Sequence, residues 1–169
     1  SAEFKSIVRE GVGDPDQLLT WSDAAHGGEK PQIGCVTTLY GKPIQLYSRR
    51  STNTEISSSG QEYLAASRAA QEVVFCRDVL AFILGVKPET ARKSTSLMID
   101  NAAVVKLCDD DASGRRLKHL IRYKAVLKKL TESRVIAPTW CATTEQLADP
   151  LTKPMPSTLF HKWRAYYVS

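Results

Sequence analysis

The 169-residue chain has few cysteines and no long apolar run. The four cysteines, Cys35, Cys76, Cys108 and Cys141, lie far apart without a CxxC pair, so neither a zinc-binding spacing nor a disulfide-stapled miniprotein is predicted. No apolar segment approaches the roughly 18 residues that a transmembrane helix needs, and charged residues interrupt the N-terminal stretch, so no signal peptide is predicted. We therefore expect a soluble protein with reduced thiols, in the cytosol or nucleus.

Internal repeats and low-complexity segments are also absent. With 43% hydrophobic and 24% charged residues, the chain has enough apolar surface for a core, which excludes a wholly disordered protein. We expect one domain over residues 17–169, because a chain of this length usually holds a single core. Residues 1–16 are polar, contain glycine and proline, and are predicted to be a linker or the leftover of a preceding domain.

The hydrophobic periodicity predicts three strands first and helices later. Strands are expected at 18–23, 33–40, 44–47, 97–99 and 135–141, and helices at 59–84, 101–107, 115–131, 143–152 and 157–167. A turn is expected at 41–43, which makes the second and third strands a hairpin. This order predicts an α/β protein, with a mixed sheet that carries helices on its faces.

Four acids stand where a sheet-based site would need them. Asp23 closes the first predicted strand, Asp100 closes the fourth, Glu62 lies in the first turn of the long helix, and Asp149 belongs to a late helical segment. Ligands collect outside the carboxyl ends of parallel strands, so Asp23 and Asp100 would meet if their strands are parallel neighbours. Converging carboxylates need cations, and oxygen-only ligands favour Mg²⁺ or Mn²⁺. Two such ions about 4 Å apart are suited to phosphodiester hydrolysis.

Each acid also has a structural interpretation. Glu62 fits a capping box with Ser59, and Asp100 could cap the helix that follows it. Asp23 could begin an Asx-turn, and Asp149 could be a simple surface acid. Pro150 disfavours the α conformation at Asp149, so a helix there must begin near Pro150 or kink.

Positive charge is concentrated in one segment. Residues 115–134 hold eight basic residues and one acid, a net +7, which leaves 15 basic and 17 acidic residues, or −2, for the rest of the chain. On a helical projection, four of the basic residues share one face, opposite Leu120, Tyr123, Leu127 and Leu130: Arg115, Lys118, Arg122 and Lys129. A solvated surface helix would show the same pattern, but the concentration of charge favours contact with a nucleic-acid backbone.

Four motifs together resemble the ribonuclease H domain of copia-type LTR retrotransposon polyproteins. They are SDAAH (22–26), SSSGQEYLAAS (57–67), LMIDNAA (97–103) and TTEQLADPLTKPMP (143–156), and the resemblance spans roughly residues 17–167. It implies a ribonuclease H-like fold: a five-stranded mixed sheet, its first three strands antiparallel, flanked by helices. It also implies an endonuclease that uses two Mg²⁺ ions, for which Mn²⁺ can substitute, to cut the RNA strand of RNA–DNA hybrids and leave 5′-phosphates.

The resemblance assigns roles to the four acids. Asp23 would bridge both metal ions, Glu62 and Asp100 would hold the ion on the leaving-group side, and Asp149 would hold the ion that activates water. Small polar residues beside these ligands are candidates for contacts to the hybrid backbone: Ser22, Ser58, Ser59 and Asn101.

The same resemblance implies a partner and a location. We expect the reverse transcriptase domain of the same polyprotein as a partner, no membrane, and a place in the cytoplasmic particle of the element and in the nucleus. Two other functions stay open: a catalytically inactive module that binds nucleic acid or protein, and a nuclease of the same superfold that acts on DNA.

Overall fold

The computed structural model describes residues 18–25, 30–51, 57–84, 93–109 and 120–168. Its strands are β1 (Leu18–Ala25), β2 (Gln32–Leu39), β3 (Lys42–Arg50), β4 (Thr95–Ile99) and β5 (Ile136–Trp140). Its helices are α1 (Ser58–Leu84), α2 (Ala102–Asp109), α3 (Ile121–Glu132) and α4 (Ser157–Tyr167). The predicted linker 1–16, residues 115–119 of the predicted basic helix and the Cys108 side chain lie outside the described part.

The five strands form one sheet in the order β3-β2-β1-β4-β5. The pairs β1–β2 and β2–β3 are antiparallel, whereas β1–β4 and β4–β5 are parallel. This arrangement confirms the predicted five-stranded mixed sheet with three antiparallel strands at the start. The central strand β1 is buried along almost its whole length, since layers pack on both of its faces.

One layer consists of α1, α2 and α3. Ala66, Ala69 and Val73 of α1 pack with Leu97 and Ile99 of β4. The predicted apolar face of the basic segment joins the same core, with Leu120, Tyr123 and Leu127 buried and Leu130 partly buried. The small side chains of the alanines on α1 let this long helix approach the sheet closely. Leu127 of α3 is fully buried in the same core.

The opposite layer is thinner. Trp21, which is 1% exposed, packs with Val36 and Met98 of the sheet and with Leu147 and Ala148 from the segment after β5. Three aromatic side chains of α4 cover this cluster: Trp163, Tyr166 and Tyr167. Trp163 stacks on Tyr167, with their ring centroids 5.7 Å apart. Trp21 is therefore a core residue of this layer.

Two predicted elements differ from the structure. The β2–β3 turn is made by Tyr40 and Gly41, whose φ angles are 51° and 72°, and not by 41–43. A two-residue hairpin turn with positive φ at both positions matches the twist of the strands, so β3 already begins at Lys42. Pro43 is tolerated there because β3 is an edge strand.

The helix predicted over 143–152 is wrong. Two short 3₁₀ turns, Thr143–Glu145 and Asp149–Leu151, stand in its place. Pro150 occupies the first turn of the second one, where its missing N–H costs nothing, but the same proline prevents a continuous α-helix from running through Asp149. Leu147 and Ala148 of this segment are buried in the cluster around Trp21, and Leu151 packs against it.

Gly34 on β2 allows the second 3₁₀ turn to lie directly on the sheet. A Cβ at this position would lie 2.9 Å from Thr152 Cγ2, 3.0 Å from the Ala148 carbonyl oxygen and 3.0 Å from Leu151 Cβ. Because two of these atoms belong to the backbone or its first side-chain carbon, they have little freedom to withdraw. Gly34 pairs with Asp23 across β1 and β2, so the same close approach brings the turn next to Asp23.

We therefore expect Gly34→Ala to destabilise the protein by about 1–3 kcal/mol, because the added methyl overpacks this contact. Urea denaturation followed by circular dichroism measures the change. The double variant Gly34→Ala/Thr152→Ser lacks the nearest obstructing atom, Thr152 Cγ2, and should recover part of the loss. Equal stabilities for the wild type and Gly34→Ala would contradict the proposed close approach.

Candidate acidic metal centre

The parallel register of β1 and β4 brings two acids together. Trp21 on β1 pairs with Met98 on β4, and Asp23 and Asp100 each follow two residues later. Asp23 lies within β1, which continues to Ala25, while Asp100 directly follows β4. The prediction that these two acids meet on neighbouring parallel strands is confirmed, but Asp23 does not close its strand as predicted, because β1 continues for two more residues.

Glu62 on α1 completes a cluster. One carboxylate oxygen from each of Asp23, Glu62 and Asp100 lies within 4.8 Å of the others. The backbone N–H of Ala24 donates a hydrogen bond to the Glu62 carboxylate, which ties the start of α1 to β1. Three convergent carboxylates offer the oxygen-only donor set that Mg²⁺ and Mn²⁺ prefer, so these residues fit a divalent cation.

The structure decides between the site and capping interpretations. Ser57, and not Ser59, caps α1, since its Oγ accepts a hydrogen bond from the Gly60 N–H at 3.3 Å. Asn101, and not Asp100, caps α2, since its Oδ1 accepts from the N–H groups of Ala103 at 3.0 Å and Val104 at 3.4 Å. Glu62 and Asp100 therefore do not cap these helices, and their carboxylates lie in the acidic cluster.

Burial and the repulsion between neighbouring carboxylates disfavour the ionised forms of Asp23 and Glu62. Burial, followed by the charges of Asp23 and Asp100, raises the pKa of Glu62 from 4.5 to about 8. Burial also raises the pKa of Asp23, although the Thr152 hydroxyl and Lys153 oppose the change. Desolvation and neighbouring like charges disfavour the ionised form in both cases.

The motif at 143–153 supplies most of the groups that oppose this repulsion. Thr152 Oγ1 donates a hydrogen bond to Asp23 Oδ2, and Thr143 Oγ1 donates one to Asp100 Oδ2 at 3.3 Å. Lys153 Nζ forms an ion pair with Asp149 Oδ1 and lies 3.8 Å from Asp23 Oδ2. Of these groups, the sequence pattern predicted a role for Asp149 alone; Thr143, Thr152 and Lys153 lie in the same motif, TTEQLADPLTKPMP, but were not predicted as site residues.

Gln146 anchors the motif to the sheet. Its side-chain amide donates to the Ser22 carbonyl oxygen at 3.0 Å, and its Oε1 accepts from the Ala148 N–H at 3.2 Å. Gln146 is 1% exposed, so these hydrogen bonds are shielded from water. They hold the segment that carries Asp149 beside the strand that carries Asp23.

Asp149 stands apart from the three-acid cluster. Among the described residues, the carboxylates that converge are those of Asp23, Glu62 and Asp100, while Asp149 is linked to Asp23 through Lys153. Asp149 begins a 3₁₀ turn, with Pro150 directly after it, and is half-buried. Its position as a fourth ligand is a prediction that these distances neither require nor oppose.

The predicted nucleic-acid contacts have different environments. Ser58 and Ser59 are exposed in the first turn of α1, whereas Ser22 is only 1% exposed. Asn101 is half-buried, and its amide oxygen accepts the hydrogen bonds of the α2 cap.

The basic residues of α3 are accessible: Arg122 and Lys129 are exposed. Arg122 lies over the ring of Tyr123, 4.7 Å from its centroid, and donates a hydrogen bond to its hydroxyl at 2.7 Å. Arg115 and Lys118 lie outside the described residues.

Solved structures with the same fold include three ribonucleases H. The structure of LC11-RNase H1 in complex with an RNA/DNA hybrid matches with a TM-score of 0.60 at 18% identity, over 80% of this chain and 94% of that one. The N-terminal RNase H domain of a Mycobacterium tuberculosis protein matches with a TM-score of 0.58 at 12% identity, over 89% of this chain and 95% of that one. RNase H1 of the archaeon Halobacterium salinarum matches with a TM-score of 0.57 at 16% identity, over 80% of this chain and 94% of that one.

The chain has the ribonuclease H fold. Its sequence is 25% identical to the retrovirus-related Pol polyprotein from transposon RE1 of Arabidopsis thaliana and 24% identical to that from transposon RE2, in each case over 95% of this chain. These matches confirm the resemblance to the ribonuclease H domain of a retrotransposon polyprotein. The matched region spans about 12% of each of these relatives. No protein-family model matches the chain.

The acidic cluster makes the stability of the metal-free protein depend on pH. Because the folded-state pKa of Glu62 is raised from 4.5 to about 8, the folded state keeps a proton that the unfolded state has already released. We therefore expect the free energy of unfolding in EDTA to be highest below about pH 4.5 as far as Glu62 contributes, and to fall as the pH rises to about 8. Urea titrations at several pH values measure this fall.

Glu62→Gln should flatten that part of the profile, because the neutral amide has no proton to release. Glu145→Gln removes an exposed acid from the neighbouring 143–153 motif and serves as the matched control. Saturating Mg²⁺ should reduce the wild-type fall, since a bound cation stabilises the ionised carboxylates. Identical pH profiles for the wild type and Glu62→Gln would contradict the assignment of this proton to Glu62.

Proposed function

We propose that this domain is a metal-dependent ribonuclease H that cuts the RNA strand of RNA–DNA hybrids during the reverse transcription of a retrotransposon. The observation that carries the proposal is the convergence of Asp23, Glu62 and Asp100 on the ribonuclease H fold. The solved relative LC11-RNase H1 was captured with an RNA/DNA hybrid, and the curated relatives are Pol polyproteins. Both relationships support the proposed substrate.

We propose that two Mg²⁺ ions, with Mn²⁺ as a substitute, would be held by Asp23, Glu62, Asp100 and Asp149; the convergence of the first three acids supports this proposal. When bound, such ions activate water and stabilise the oxygen that leaves on phosphodiester hydrolysis, which gives 5′-phosphate products. Asp23, the most buried of the four acids, is proposed to serve both ions, with Glu62 and Asp100 on the leaving-group side and Asp149 on the water side. Thr152, Thr143 and the Ala24 N–H orient the carboxylates by hydrogen bonds.

The hybrid is proposed to lie next to this cluster, along the starts of α1 and α2. Ser58 and Ser59 at the start of α1 and Asn101 at the start of α2 are proposed to contact the backbone and 2′-hydroxyl groups of the hybrid. We leave Ser22 out of this surface, because its side chain is buried. Arg122 and Lys129, together with Arg115 and Lys118, are proposed to neutralise phosphates.

We further propose that the domain works with the reverse transcriptase domain of the same polyprotein, in the cytoplasmic particle of the element and in the nucleus. Within the described residues, no helix has both the length and the apolar character required to cross a lipid bilayer.

The alternative is a non-catalytic module that keeps the fold and binds nucleic acid or protein. The ion pair of Lys153 with Asp149 favours it, because an internal cation can balance part of the acidic cluster without any metal. Activity measurements decide between the two functions.

Asp100→Asn should abolish cleavage of a labelled RNA–DNA hybrid in Mg²⁺ or Mn²⁺, because it removes a charged ligand while keeping nearly the same shape. Gel analysis of the RNA strand, with duplex DNA, duplex RNA and EDTA as parallel conditions, measures the loss. Asp78→Asn replaces an exposed acid on α1 and should leave cleavage unchanged. A wild-type protein that binds the hybrid without cutting it in either metal would overturn the enzymatic proposal, and cleavage of duplex DNA would redirect it to a DNA nuclease.

The double variant Arg122→Gln/Lys129→Gln should bind the hybrid more weakly, with a slope of log affinity against log salt concentration reduced by up to about 2, because two phosphate contacts are lost. Fluorescence anisotropy over a salt series in EDTA measures both quantities. Lys42→Gln/Arg164→Gln removes the same charge from β3 and α4 and is the matched control. An unchanged salt slope in the α3 variant would contradict phosphate contact by this face.

A further inference from the structure

Lys153 occupies a distinctive place beside the acidic cluster. Its ammonium group contacts Asp149 Oδ1 and lies 3.8 Å from Asp23 Oδ2, so it stands between these two carboxylates. Its backbone N–H donates to the Asp149 carbonyl oxygen at 3.3 Å, so the main chain also ties Lys153 to Asp149. The Lys153 side chain keeps 44% of its exposure, whereas that of Asp23 keeps 2%.

The two sides of Asp23 are therefore different. On one side, Asp23 faces the carboxylates of Glu62 and Asp100. Among the described residues, no lysine or arginine forms an ion pair with Glu62 or Asp100. Toward Asp149, a cation already stands in place. The side toward Glu62 and Asp100 offers carboxylate oxygens for a metal ion, while the side toward Asp149 already holds the ammonium group of Lys153.

Lys153 shares its carboxylate partners with the proposed second metal position. Its ammonium group lies against Asp149 Oδ1 and near Asp23 Oδ2, and these are the two carboxylates that would bind a second divalent ion. An ammonium group and a divalent ion placed together between Asp149 and Asp23 would repel one another strongly, so Lys153 disfavours a second ion while it stands there.

We propose that Lys153 is the resident counter-ion of the Asp149 side and that it must swing out before a second divalent cation can bind there. This inference rests on the proposed function, because it concerns the second of the two ions. Its consequence is a graded site: the three-acid cluster binds its ion first and more tightly, and the Asp149 side binds later and more weakly. The exposed stem of Lys153 gives the side chain room to move outward.

Isothermal titration of the full chain with MnCl₂ tests this role. Lys153→Met should tighten the weaker binding event by about tenfold, because the competing charge is gone. Lys153→Gln should act in the same direction and provides a second neutral variant in case the methionine disturbs folding. Lys153→Arg keeps the charge and should stay close to the wild type, as should the distant control Lys42→Met.

Thermal unfolding in EDTA supplies a second readout. The metal-free Lys153→Met protein should be less stable than the wild type, because Asp149 and Asp23 lose their cation, although it binds Mn²⁺ more tightly. A lysine that only supported the local structure would lower both stability and metal affinity when replaced.

The outcomes separate the two proposals. Unchanged or weaker Mn²⁺ binding in both neutral variants, with the first binding event intact, would overturn the counter-ion role and leave the metal-dependent function standing. Absence of Mn²⁺ binding in the wild type and the variants would overturn the metal centre and the counter-ion role together.

Discussion

The repulsion among the carboxylates of Asp23, Glu62 and Asp100 is the constraint on which the rest of this structure depends. Parallel pairing of β1 with β4 brings two of them together, and the first turns of α1 add the third. Buried like charges are costly unless protons, hydrogen bonds or cations offset them. The metal-free chain uses all three: a raised pKa at Glu62, hydroxyl donors from Thr143 and Thr152, and the ammonium group of Lys153.

The segment between β5 and α4 is therefore part of the site and part of the fold at once. Gly34 lets its second turn lie on β2, and Gln146 fixes its middle to the Ser22 carbonyl. The aromatic residues of α4 close over the same region, and Tyr167 donates a hydrogen bond to the Leu147 carbonyl oxygen at 2.6 Å. Packing that buries Trp21 on this face thus also sets the positions of the groups that neutralise Asp23.

Much of the architecture follows from local patterns. The strands, the long helix predicted from 59 to 84 and the terminal helix 157–167 are recovered because short apolar runs and helical spacings of apolar residues are visible along the chain. The helix predicted over 143–152 is wrong for two reasons. The apolar residues of this segment pack against the sheet, and Pro150 prevents an α-helix from continuing through Asp149. Capping is a similar case: a run of three serines and the pair Asp100-Asn101 each offer several caps, and only the observed helix starts select Ser57 and Asn101.

The sequence by itself determined the candidate residues: the four acids predict an acidic metal centre, and the motifs around them resemble a ribonuclease H domain. It also determined that Asp100 directly follows a strand, whereas Asp23 lies within β1, which continues two residues further, to Ala25. Only the tertiary structure decided what surrounds them. The roles of Gly34, Thr152 and Lys153 depend on residues more than a hundred positions apart coming within hydrogen-bonding or van der Waals distance, and no local pattern encodes such a contact.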